Sequence, residues 1–244
     1  KCKLIQHLQS ALNGERVNGE FEIQGKMFEL HSGPLNDEDK ARVGAIGVAI
    51  DITDRKRQER EFYFQANYDS LTGLANKILA MNKLQQAFDR TEEQQQVTLL
   101  MLDLDNFRNI NETLGQTIGN ELIVAAARRL QHCLHKDNFA ARISGDEFIV
   151  CAEHLSPHEA EALAHKIISV FQDPFKLSER ELFTTASLGV AFFPIDAKTP
   201  ETLFQAAETA LFHAKNNGKS TYQLFTRNMR ERSSRHHELE TGLR

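Results

Sequence analysis

Hydrophobic runs that break off into acid dominate the pattern of this chain. The stretch 97–102 (Val-Thr-Leu-Leu-Met-Leu) is almost wholly apolar and ends at Asp103 and Asp105, while 139–143 and 148–152 are apolar on either side of Ser144-Gly145-Asp146-Glu147. Short apolar runs bounded by turn residues read as strands, and the Ser-Gly pair reads as a hairpin because glycine supplies the positive φ that tight turns need. Helices are predicted over 76–90, 117–134 and 157–172; in the second, Leu122, Ala126, Leu130 and Leu134 recur at i+4 steps as a core stripe. A short helix over 107–111 leading to Gly115, a helix over 206–215 stopped by Asn217-Gly218, and strands over 182–193 and 221–225 complete this part.

From 97 to 193 the order is strand, helix, strand, strand, helix, strand, the βαββαβ arrangement of an α+β, ferredoxin-like sheet. In it the third strand lies between the first and second and runs antiparallel to both. The end of the first strand and the hairpin turn then share one edge, so Asp103 and Asp146 should be neighbours. A lone aspartate at a strand end is usually a solvated turn residue. Acids that converge, as Asp103, Asp146 and Glu147 would, repel unless a cation sits between them, and hard oxygen ligands with open positions suit Mg²⁺ carrying phosphates. The residues by themselves point to metal-dependent phosphoryl or nucleotidyl transfer.

Ahead of this part, 2–12 is an amphipathic helix with Leu4, Ile5, Leu8 and Leu12 near a helical period, stopped by Asn13-Gly14. Strands are expected over 17–24, 27–31 and 43–51, the first two joined at Gly25-Lys26. These strands, ending in Asp51-Ile52-Thr53, resemble the C-terminal half of a PAS sensor domain; a half-sheet with open edges implies a chain cut from a larger protein. Thr53 or Asp54 is the expected N-cap of a charged helix over 54–67. In that helix Ile52, Phe62 and Ala66 outline a short apolar seam interrupted by Lys56 and Glu59, so a solvated linker and a parallel dimer coil both remain open.

Composition narrows the field. With 41% hydrophobic and 26% charged residues over 244 positions the chain is an ordinary globular one, long enough for one large or two modest domains. A net charge of −5 with no basic stripe argues against nucleic acid as a partner. Cys2, Cys133 and Cys151 lack metal or disulfide spacing and read as reduced thiols of a cytoplasmic protein. No run approaches the length of a membrane helix, so any membrane segment of the parent protein is expected outside this chain.

Several separated motifs resemble the GGDEF family of diguanylate cyclases: Asp69-Ser-Leu-Thr-Gly-Leu-Ala-Asn76, Leu102-Asp-Leu-Asp-Asn-Phe107, Ser144-Gly-Asp-Glu-Phe148, Ser187-Leu-Gly189 and Ala214-Lys-Asn-Asn-Gly-Lys219. The resemblance implies a polymerase-palm-like domain over 68–226, preceded by the partial PAS sheet at 1–53 and the linker helix at 54–67. The charged segment 227–244 resembles the connector to a C-terminal EAL phosphodiesterase. It further implies condensation of two GTP into cyclic di-GMP and two pyrophosphates by a homodimer, with Mg²⁺ (or Mn²⁺) held by Asp103, Asp146 and the Leu104 carbonyl. Glu147 would support the metal or activate the hydroxyl. Lys215 and Lys219, expected to share a helix face if the helix reaches Gly218, and Arg108 would hold phosphates; Asn111 and Asn120 would read guanine beside Ser144 and Gly145 of the turn.

Three positions depart from the family's pattern. Ser144 stands for the first Gly, Lys219 for Arg, and Asn120 for an Asp whose two acceptor oxygens suit the guanine N1–H and N2–H donors. Asn120 has a plainer reading as a helix N-cap. The family's product-inhibition motif RxxD is degenerate, with His135 and Asn138 at its ends. Intact Asp103, Asp146, Glu147 and Lys215 favour a cyclase; the departures favour the alternative, a weak GGDEF domain that binds GTP and regulates an attached EAL phosphodiesterase or other output.

Overall fold

In the computed structural model, residues 2–39, 41–90, 96–136, 138–178 and 180–229 are described. The chain divides into two units, with the boundary between Ala66 and Asn67.

The first unit holds α1 (Cys2–Leu12), β1 (Val17–Ile23), β2 (Lys26–Asn36), β3 (Arg42–Asp51) and α2 (Thr53–Asn67). The strands form an antiparallel sheet in the order β1-β2-β3. A tight turn with Gln24 and Gly25 both left-handed joins β1 to β2. β2 runs five residues beyond the predicted 27–31, through Pro34. Proline is tolerated because β1 pairs only as far as Ser32, which leaves Pro34 on a locally free edge opposite Ala45 of β3. The helix α2 starts one residue earlier than expected, and neither Thr53 nor Asp54 caps it. The Asp51 carboxylate takes the Thr53 amide at 3.0 Å and its hydroxyl at 2.6 Å instead. No described residue of α2 is buried, and Phe62 is 70% exposed.

The second unit comprises α3 (Lys77–Arg90), β4 (Val97–Leu104), α4 (Phe107–Leu114), α5 (Gln116–Cys133), β5 (Phe139–Ser144), β6 (Glu147–Glu153), α6 (Pro157–Gln172), β7 (Phe175–Lys176), β8 (Glu181–Leu182), β9 (Ala186–Phe193), α7 (Pro200–Asn216) and β10 (Tyr222–Leu224). Its main sheet runs β10-β9-β4-β6-β5, so β6 lies between β4 and β5, antiparallel to both, as the βαββαβ order predicts. Every residue of β4 is buried, because both faces of the strand are covered. Leu100, Leu102 and Leu104 pack with α5 and α6; Val97, Leu99 and Met101 pack with α3 and α7.

Two helices differ from expectation. α7 begins at Pro200, six residues before the predicted start, under a capping box in which Thr199 and Thr202 bond each other's backbone amides. It also ends at Asn216, short of Gly218. Gly189 of β9 lets α7 lie directly on the sheet, since a Cβ there would stand 2.0 Å from the Ala207 carbonyl oxygen. The strand predicted over 182–193 is interrupted at 183–185, where the hydroxyls of Thr184 and Thr185 bond Asp105. The tail predicted as a connector lies beyond the described residues from 230 onward.

Candidate active site

Strand register brings the acids together. Asp103 is opposite Glu147 on β6 and opposite Ser187 on β9. Side chains alternate along a strand, so Asp103 shares its face with Leu99 and Met101 and looks toward α7. There Lys215, in the last turn of α7, places its Nζ 2.5 Å from Asp103 Oδ2. Asp103 is only 6% exposed, and the Asp146 carboxyl at the hairpin turn is near enough for the two acids to act on each other electrostatically.

Burial pushes the Asp103 pKa up to about 6; the Lys215 ammonium opposes that shift and the nearby Asp146 adds to it. Asp146 is also raised, first by burial, against its own backbone amide and Lys215. Both carboxyls are thus held where ionisation is costly, and a cation between them would relieve it. Among the described residues no three Asp, Glu, His or Cys side chains gather into a metal cage. Mg²⁺ does not require one, because it keeps several waters and takes one or two carboxylates plus substrate phosphates. The pair Asp103 and Asp146 fits that donor set. Leu104, next along β4, is buried.

The hairpin is also held by Arg142 and Asp69, to which the sequence assigned no role. Gly145 is left-handed (φ 43°), whereas Ser144 is not, so serine sits there without backbone strain. The Ser144 hydroxyl donates to Glu147 Oε2 at 2.5 Å. Arg142 donates to the Gly145 carbonyl at 2.9 and 2.8 Å and to both oxygens of Asp69 at 3.0 and 3.1 Å. Burial raises the Asp69 pKa, but the Thr72 hydroxyl and Arg142 outweigh it and hold the carboxyl below its ordinary range.

The two lysines are held in different ways. Because α7 ends at Asn216, Lys219 does not share a helix face with Lys215; it lies in a left-handed turn (φ 63°) and donates to Asn106 Oδ1 at 2.7 Å. Asp105, also unassigned from sequence, lies between these pieces. It is 2% exposed and accepts from the Thr185 hydroxyl (2.5 Å), the Ser187 hydroxyl (2.7 Å) and the Ser220 amide (3.0 Å). The signal available was the pair of hydroxyls at alternating positions, Thr185 and Ser187, ahead of an apolar strand. The Arg108 side chain is 91% exposed and pairs with Glu112 one turn along α4.

The base-recognition candidates sit on α4 and α5. Asn111 Oδ1 is buried without a hydrogen-bond partner, and a Cβ on Gly119 would stand 1.8 Å from it, so any larger residue there would displace the Asn111 amide. Asn120 is no N-cap; it is the fifth residue of α5, exposed, and lines a cleft of about 430 Å³ with Leu71, Thr117, Arg128 and Lys176. His135 and Asn138 line a separate cleft of about 400 Å³ with Lys83 and Lys136.

Residues 66–221 match the family described as "Diguanylate cyclase, GGDEF domain". An uncharacterized signaling protein of Caulobacter vibrioides is 36% identical over 217 residues, covering 84% of this chain and 27% of that protein. The cyclic di-GMP phosphodiesterase PdeR of Escherichia coli is 31% identical over 215 residues, covering 88% of this chain and 32% of that protein. This chain therefore spans about a third or less of the length of these relatives. Among solved structures, the isolated GGDEF domain of TpbB (YfiN) from Pseudomonas aeruginosa superimposes with a TM-score of 0.66 at 32% identity, covering 68% of this chain and 99% of that one.

Proposed function

Since the chain belongs to the GGDEF family, we propose that its second unit is a diguanylate cyclase, joining two GTP into cyclic di-GMP with release of two pyrophosphates. The observation that carries this reading is the meeting of Asp103 and Asp146 at one sheet edge under Lys215.

Mg²⁺ or Mn²⁺, held by Asp103 and Asp146 with the Leu104 carbonyl, would neutralise charge developing at phosphorus and on the leaving pyrophosphate. The chain's own residues do the rest. Lys215 pairs with Asp103 at this edge, and its ammonium would also hold phosphate oxygens of a bound nucleotide. Lys219, beside Asn106, is a point charge for the terminal phosphates. Glu147, tied to Ser144 and opposite Asp103, assists the metal or the attacking 3′-hydroxyl. Asn111 and Asn120 read the base, and the unpartnered Asn111 oxygen is an acceptor that a bound nucleotide's N–H donors would satisfy. Each domain carries one GTP, so turnover requires two copies face to face. On this reading the first unit is the C-terminal part of a PAS sensor, with α2 as the link between it and the second unit.

A second reading, a GTP-binding regulator with little turnover, is favoured by Asn120, which offers one acceptor where an aspartate would offer two. The deciding experiment is a chromatographic product assay with GTP and Mg²⁺ on the chain and on Asp146→Ala. Cyclic di-GMP that rises faster than linearly with protein and vanishes in the variant is the expected result. GTP binding without product over the accessible concentration range selects the regulator, and undiminished turnover in Asp146→Ala overturns the site.

A further inference from the structure

We propose that Asp105 is a positioning residue for the phosphate end of this site, acting on nucleotide through the turn at Lys219 and Ser220; this rests on the nucleotide reading above. Asp105 lies one residue past the end of β4, and its carboxylate leaves no oxygen idle. Oδ1 takes the Ser187 hydroxyl, and Oδ2 takes both the Thr185 hydroxyl and the Ser220 amide. Its backbone is equally committed, the amide to the Thr185 carbonyl at 2.8 Å and the carbonyl to the Thr184 hydroxyl at 2.8 Å. One buried side chain thus joins the end of β4, the start of β9 and the turn after α7.

The turn needs such an anchor. Lys219 and Ser220 are consecutive non-glycine residues with φ of 63° and 48°, and Asn106, which receives Lys219 Nζ, has φ 60°. Non-glycine residues hold the left-handed region only where their surroundings over-determine it. The Lys219 amide reaches back to Ala214 at 3.3 Å, and the Ser220 amide is fixed by Asp105. Released from Asp105, the turn relaxes, and the lysine ammonium loses its place over the corner that Asp103 and Lys215 define. Asp105 itself, buried under the turn, need touch no ligand.

The test is Asp105→Asn, read two ways. Hydrogen exchange at the Ser220 amide, followed without nucleotide, should quicken at least about tenfold. Calorimetry with Mg²⁺ should show GTP weakened about tenfold and GMP, which lacks the terminal phosphates, changed less than about twofold. In a Lys219→Ala background the same substitution should add less than about twofold, since both act through one group. Where Asp105→Asn does not fold, Thr185→Val, which removes only the hydroxyl on Oδ2, should weaken GTP by about threefold and spare GMP. Unchanged exchange at Ser220 overturns the anchoring role, and equal weakening of GTP and GMP overturns the link to phosphate. Failure of the unsubstituted chain to bind GTP overturns the nucleotide reading, and the phosphate link with it.

Discussion

Asp103 carries the clearest pH signature. Its carboxyl titrates near 6 in the folded chain against an ordinary 3.8, so between those values the native state keeps a proton that the unfolded chain has released. Stability without divalent cation should therefore fall as pH rises through that window. Asp103→Asn removes the effect and should be the more stable protein above pH 6 by about 1 kcal/mol, a figure reduced for the solvent that reaches the site. Urea unfolding at intervals from pH 4 to 7 measures both slopes, and parallel slopes would contradict the assignment. Asn120→Asp supplies the second acceptor and should tighten GTP by about 5- to 150-fold, the worth of roughly 1–3 kcal/mol for a relieved polar group; an unchanged dissociation constant would reject guanine contact at this position. Arg142 links the motif at Asp69 to the hairpin, bonding both the Asp69 carboxylate and the Gly145 carbonyl. Neither bond is visible in a sequence, because their partners lie 73 residues and 3 residues away and only the fold joins them.

At the level of elements, Gly189 is the point where α7 touches the sheet. Gly189→Ala must push the helix from backbone atoms that cannot yield, and a loss of about 2–4 kcal/mol in chemical denaturation is expected. Lys215 would move with the helix, so the ion pair to Asp103 should loosen as well. The elements themselves were largely legible. The unbroken apolar run of β4 announced burial on both faces, and the strand order then forced Asp103 beside the hairpin. The first turns of α7 were legible too, in Thr199-Pro200, although the expectation began only where alanines become dense. What sequence spacing could not reveal was the route of Lys219. An i, i+4 rule assumes a helix, whereas this lysine reaches its corner through a left-handed turn that depends on Asp105, and that dependence exists only after folding.

For the molecule as a whole, the degenerate inhibitory motif has a consequence for control. His135 and Asn138 offer neither the guanidinium nor the carboxylate of an RxxD pair, so cyclic di-GMP should inhibit turnover weakly. A low-micromolar inhibition constant in the product assay would contradict this. The exit of the chain from the sheet has a mechanical meaning. β10 is three residues long, lies at the sheet edge, and pairs in parallel with β9 at Leu188, Gly189 and Val190. The chain leaves it only a few residues after Lys219. A tension applied to whatever follows Phe225 is borne first by this small clasp and, once it slips, directly by the turn that carries Lys219. The clasp would then act as a fuse, setting the pull beyond which the Lys219 turn slackens while Asp103, anchored in the buried strand β4, stays where it is.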